Sequence, residues 1–232
     1  MRAIGPNSSL RKHEQEMLFT GAKCKAHQKA EVQAIGELLL AQRKKMKTMR
    51  DELEDAEDDL VIANAMVSAK DYVRDRSLIS TGAMIDAIHP GSRDKLFSKA
   101  PSVLAKLGYD KESDAIDQVL VKLKTFPEND PVRMVYEKLL AQQNQAFRKA
   151  RSEQQEANLE LTRIRTVVLR VKMDNDRFRE QQFGALLAHV SKVEAEALFS
   201  LRTKSTKAKA ASEQATETTG NTSHSPTPAT TS

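Results

Sequence analysis

Tryptophan is absent from this 232-residue chain, cysteine occurs once, and aromatic residues make up only 4%. Aromatic-poor composition, with 30% charged and 39% apolar residues, suits a long, thin helical core better than a compact α/β enzyme. The single Cys24 permits no intrachain disulfide, which fits a reducing compartment. No run approaches the ~20 apolar residues of a membrane span. Met1 to Leu10 lacks an apolar stretch of signal-peptide length. The expected location is therefore the cytoplasm. Alternating apolar runs are missing, so no strands are expected.

Catalytic and cofactor motifs are missing too. No glutamate stands three residues before a histidine, which removes the di-iron bundle pattern. The segment Gly82 to Gly91 has the wrong spacing for a phosphate loop and no following Lys-Ser/Thr. The chain is thus read as non-enzymatic, with no catalytic, cofactor-binding or metal residue and no cofactor. Three weak candidates remain. His27 and Glu31 form an i, i+4 pair that suits a metal, but a solvated helix face accounts for them as well. His13, Glu14 and His189 come near one another only if the chain folds back on itself, and surface positions near helix ends account for them too. Cys24 lies between Lys23 and Lys25, which lowers a thiol pKa, against the plainer reading of a partly buried small side chain.

Proline is also missing from Asn7 to His89, and what fills that span organises the chain. Leu39, Met46, Leu53, Leu60 and Val67 recur every seven residues. A second series, Ile35, Gln42, Met49, Ala56 and Ala63, interleaves at steps of three and four. Both lie on one helix face. A helix that long needs a partner for its seam. A matching pattern begins at Pro131, with Leu140, Phe147, Leu161 and Val168 interleaved with Ala150, Ala157, Ile164 and Val171. The fold class expected is all-α: a long antiparallel coiled-coil hairpin with a small helical cap at the turn and a disordered C-terminal tail.

Four segments follow. Residues 1–76 are the first long helix. Residues 77–130, dense in Gly and Pro, are the helical cap and connector. Residues 131–204 are the return helix, started by Asp130 as N-cap and Pro131 in the first turn. Residues 205–232, rich in Thr and Ser, are the disordered tail. The register that places the turn near residue 101 layers Ile35 on Val168, Leu53 on Ala150 and Val67 on Tyr136. It faces Gln28 with Asn175 as a buried polar layer. It also sets the basic run Arg43, Lys44, Lys45, Lys47, Arg50 level with Glu153, Glu156 and Glu160. The acidic run Asp51 to Asp59 comes level with Arg148, Lys149 and Arg151.

Two functional readings remain. One is a structural, scaffolding or protein-interaction protein whose off-seam apolar residues, among them Leu38, Val61, Ile62 and Leu159, make it a homodimer with further protein partners. The other is a binding module for nucleic acid or an anionic membrane surface. Its anion-binding residues would be Arg43, Lys44, Lys45, Lys47 and Arg50. No aromatic interleaves with that run, which disfavours base stacking.

Overall fold

The computed structural model of the chain describes residues 4–199. Every regular element among them is a helix. In chain order these are α1 (Leu10–Lys25), α2 (Ala30–Ile88), α3 (Arg93–Leu96), α4 (Pro101–Leu104), α5 (Tyr109–Leu123), α6 (Pro131–Leu186) and α7 (Lys192–Phe199). The tail expected at 205–232 lies outside the described residues.

The rod is α2 packed antiparallel on α6. They have 59 and 56 residues, roughly 85–90 Å each at 1.5 Å per residue. Their seam is the heptad pattern made solid: Ile35, Leu39, Met46, Ala56 and Val67 on α2 and Leu140, Phe147, Ala150, Leu161, Ile164 and Val168 on α6 are buried. The return helix starts as expected. The Asp130 side chain accepts from the N–H groups of Val132 (2.9 Å) and Arg133 (3.2 Å), and Pro131 occupies the first turn. Burial works to raise the Asp130 pKa. The Arg133 N–H, His89 (Nε2 to Oδ2, 2.6 Å) and the Val132 N–H outweigh it and hold the carboxyl below its ordinary range.

The register differs from the expected one. Val67 packs with Phe147 and Ala150 rather than Tyr136, and Leu53 packs on the cluster that holds Leu161, Ile164 and Val168 rather than on Ala150. Cross-rod polar contacts agree: Gln154 donates to Asn64, and Arg165 pairs with Glu57 at 3.0 Å. The return helix thus sits about two heptads away from the expected alignment, a slip that keeps every seam residue in the seam. The cause is the length of α2. It runs through Thr81-Gly82 to Ile88, into the segment expected to form the cap, so the turn of the hairpin falls later in the chain.

The first helix is not continuous either. The chain breaks at residues 26–29, and α1 folds back along α2. His27 makes the corner: its Nδ1 accepts from the Lys29 N–H (3.1 Å), its carbonyl accepts from Gln33 Nε2 (2.7 Å), and its Nε2 meets Glu194 of α7 at 3.0 Å. Close approach of α1 to α2 rests on two glycines. A Cβ on Gly36 would lie 2.9 Å from the Gly21 carbonyl oxygen and 3.0 Å from Cys24 Cβ. The return helix stops at Leu186 rather than near Lys204, passing through Gly184 without a break, and α7 packs back on α1.

Each end of the rod therefore carries an added module. At the turn, α3, α4 and α5 close over Leu78, Ile85, Val132 and Leu140 through Leu96, Phe97, Leu104, Ile116, Val119 and Leu123. At the other end, Met17, Cys24, Val32, Ile35, Leu39, Leu186, Val190, Ala195 and Phe199 form a second core.

Candidate functional site

Each end module is clamped to the rod by a fully buried arginine and a buried asparagine. Near the turn the arginine is Arg74 of α2, which continues the heptad series of Leu60 and Val67 by one more repeat. It is 0% exposed. Its guanidinium lies 3.6 Å from the centre of the Phe147 ring. Nη1 donates to Ser113 Oγ (2.8 Å), and Nη2 meets both Asp71 Oδ1 (2.8 Å) and Glu112 Oε2 (2.7 Å). Ser113 and Glu112 belong to α5, so this one side chain ties the cap to the rod. Asn144 of α6 adds a second tie, donating Nδ2 to the Ser113 carbonyl (3.2 Å) and to Asp117 Oδ1 (2.9 Å).

Glu112 is 1% exposed. Burial pushes its carboxyl up to about 8; the adjoining Asp75 carboxyl adds to the rise, and Arg74 opposes it. Burial, with Asp75 beside it, also raises Asp71. One oxygen each from Asp71, Asp75 and Glu112 lies within 4.8 Å of the others, the one such trio among the described residues.

At the far end the clamp comes from α6. Asn175 (0% exposed) donates from Nδ2 to His13 Nδ1 of α1 at 3.1 Å, and His13 Nε2 reaches the Gly5 carbonyl at 3.1 Å. A carbonyl only accepts, so Nε2 carries the proton and Nδ1 is the acceptor: the ring is neutral. Burial lowers the His13 pKa, as do Lys172 and Arg179; the Gly5 bond and Asp176 work against it. Arg179 is 1% exposed and reaches Glu16 at 3.4 Å and Asp176 at 4.0 Å, with the Phe199 ring 5.7 Å away. Burial lowers its pKa. The expected Gln28 layer is thus replaced: Asn175 is buried, but its partner is His13.

The basic run divides. Arg43 and Arg50 converge on the buried Glu14 of α1, at 3.1 and 2.7 Å, and Arg50 also holds Asp51. Lys44, Lys45 and Lys47 are exposed. The return-helix glutamates expected opposite the run are engaged elsewhere, Glu160 with Arg163 and Glu153 with Lys149. The run met α1 instead because α1 doubles back over it. His13 and Glu14, expected at the surface, are both buried, and His189 does not join them: its carbonyl accepts from Lys29 Nζ. His27 pairs with Glu194 rather than Glu31. Cys24 is fully buried, and burial raises its thiol to about 11 despite Lys23, which suits a packing role rather than a nucleophile.

The two clamps escaped the sequence reading, although Arg74 stands at a seam position where an ion needs an explanation. No helix among the described residues is long and apolar enough to cross a membrane. No family model matches the chain, and no curated protein or solved structure is significantly similar to it.

Proposed function

We propose that the chain is a non-enzymatic scaffold: a two-helix rod that holds two helical modules apart and offers its sides to protein partners, a second copy of itself among them. The observation that carries this reading is the pairing of two helices of 59 and 56 residues with a separately cored module at each end. Self-association is supported by a second apolar stripe on α6, facing away from the seam. Leu159, Thr162, Thr166, Leu169 and Met173 recur at steps of three and four, and Leu159, Leu169 and Met173 are 69%, 49% and 46% exposed. The buried, unreactive thiol suits a reducing compartment such as the cytoplasm.

Light scattering combined with small-angle X-ray scattering tests this reading. The expected particle is an elongated dimer that Leu159→Glu with Leu169→Glu converts to a folded, elongated monomer. A wild-type chain that stays monomeric at high concentration removes the self-association. A second reading, binding of an anionic polymer or membrane surface, is favoured by Lys44, Lys45 and Lys47, which project from the rod while their arginine neighbours are occupied. Sedimentation with heparin or phosphatidylserine vesicles that is lost on changing those three lysines to glutamate would put this reading first.

A further inference from the structure

We infer that Asp75 of α2 and Glu112 of α5 share a single proton across the joint between rod and cap, and that this proton latches the cap in place. Three carboxylates, Asp71, Asp75 and Glu112, meet one guanidinium, Arg74, in a joint where Glu112 and Arg74 are buried. Arg74 already engages Asp71 Oδ1 and Glu112 Oε2. Asp75 Oδ1 and Glu112 Oε1 are left buried with no donor. Two bare acceptors cannot be desolvated side by side, since each would forfeit its hydrogen bonds to water and repel the other. A proton on one turns it into the donor the other lacks, the arrangement of paired carboxyl groups in which one ionises far less readily. The remaining charges nearby do not remove the need. On α6, Arg148 is held by Asp117 (2.6 Å) and Arg151 lies over the Tyr109 ring, while Asn144 and Phe147 are neutral; on α5, Ser113 only accepts from Arg74. A divalent cation is the less suitable occupant, because Arg74 has taken an oxygen from two of its three ligands and brings a positive charge beside it.

The consequence is directional. Glu112 holds its proton more tightly with the cap docked than released, its docked pKa being raised. The latch is therefore complete below the ordinary glutamate range, weakens as pH rises, and is lost by about pH 8. Within that window the opening constant of the cap rises by up to about tenfold per pH unit.

The test uses the full-length chain and Glu112→Gln, whose amide donates to Asp75 and accepts from Arg74 at every pH. Cleavage within residues 93–123 by a trace of protease is followed from pH 5 to 9, and the ratio of wild-type to variant rates is taken to cancel the protease's own pH dependence. The expected ratio climbs to pH 8 and then levels, and Asp75→Asn flattens the profile in the same way. A ratio that stays constant overturns the latch. Protection of the wild type at pH 9 by millimolar calcium or manganese, absent in Glu112→Gln, also overturns it and assigns the joint to a cation. Should both variants unfold, carbon NMR of the wild type labelled at glutamate carboxyls decides: one carboxyl titrating several units above the rest supports the shared proton, and none above pH 6 refutes it.

Discussion

The two buried arginines sit at opposite ends of one rod, and they are not held alike. Arg74 donates to the Asp71 carboxylate and the Ser113 hydroxyl at 2.8 Å and pairs with Glu112 at 2.7 Å, with an aromatic ring 3.6 Å from its guanidinium carbon and only its Nε buried without a hydrogen-bond partner. Arg179 makes only longer contacts, at 3.4 and 4.0 Å, with its ring 5.7 Å away, and two of its nitrogens, Nε and Nη1, are buried without a hydrogen-bond partner. The turn end is an ion cluster whose members depend on one another. The far end leans on apolar packing by Met17, Cys24, Leu186 and Phe199, with a looser ion pair beside it. A buried charge stabilises little by itself; what matters is the cost of leaving its partner behind. That cost should differ between the two ends.

The sharpest break is Arg74→Leu. It strands Glu112 among Asp71 and Asp75 with no cation, and a loss of about 3–5 kcal/mol in unfolding free energy is expected at neutral pH. Because the negative charge left on the trio can be removed by a further proton, the loss should shrink as the pH is lowered towards 5, which urea titrations at pH 5 and 8 would resolve. Arg179→Leu is expected to cost less, about 1–3 kcal/mol, since Glu16 is 14% exposed and reaches water when its partner goes. Equal losses at the two sites would mean that burial alone, rather than the geometry of the pairing, sets the cost.

The ends also respond to pH with opposite sign. His13 is neutral where it meets Asn175, and its pKa is lowered in the folded state. Above the ordinary histidine range its contribution to stability is complete. As the pH falls through 6.5 the unfolded chain takes up a proton that the folded chain resists, and the docking of α1 weakens. Protonation would replace the Nδ1 acceptor with a donor facing the Asn175 amide. Hydrogen exchange of residues 10–25 should therefore accelerate between pH 7 and 5, after correction for intrinsic rates, by the equivalent of about one hydrogen bond or ~1 kcal/mol. His13→Gln should flatten that response while leaving the cap unaffected.

How much of this was legible beforehand depends on which physical signal carried each feature. The seam of Leu39, Met46, Val67, Leu140, Phe147 and Val168 is written in its period, and so are the two long helices and their antiparallel return. Asp130-Pro131 is a local cap and was equally plain. Register is different. A heptad seam looks the same after a slip of seven or fourteen residues, so only the positions of the helix ends fix it, and α2 runs past Thr81-Gly82, where Pro101 of α4 lies close against Gly82. The corner at His27 has neither glycine nor proline; α1 ends on backbone bonds and the His27 ring accepts from the Lys29 N–H beyond it, and such a corner has no simple pattern. Gly21 and Gly36 were visible as isolated glycines, but their meaning appears only when the two helices cross. The clamps were hidden for a related reason. Arg74 falls on the seam series one heptad beyond Val67, yet nothing in the spacing says which acids will arrive from α5.

The exposed lysines of the basic run complete the comparison, and the smallest effect is expected there. Changing Lys44, Lys45 and Lys47 together to glutamate touches no buried group, and Met46 between them keeps its place in the seam. Stability should move by no more than about 0.5 kcal/mol per site, the usual range for exposed positions. The sign should be unfavourable, because a glutamate at position 47 would stand one turn before Asp51, on the face from which Arg43 and Arg50 reach Glu14. Raising the salt concentration should erase most of that loss, since these charges are solvated and screened. A drop as large as that for Arg179→Leu would instead mean that the three lysines brace α1 against α2 through Glu14. The basic run would then belong with the buried arginines, as a third clamp built from exposed charge.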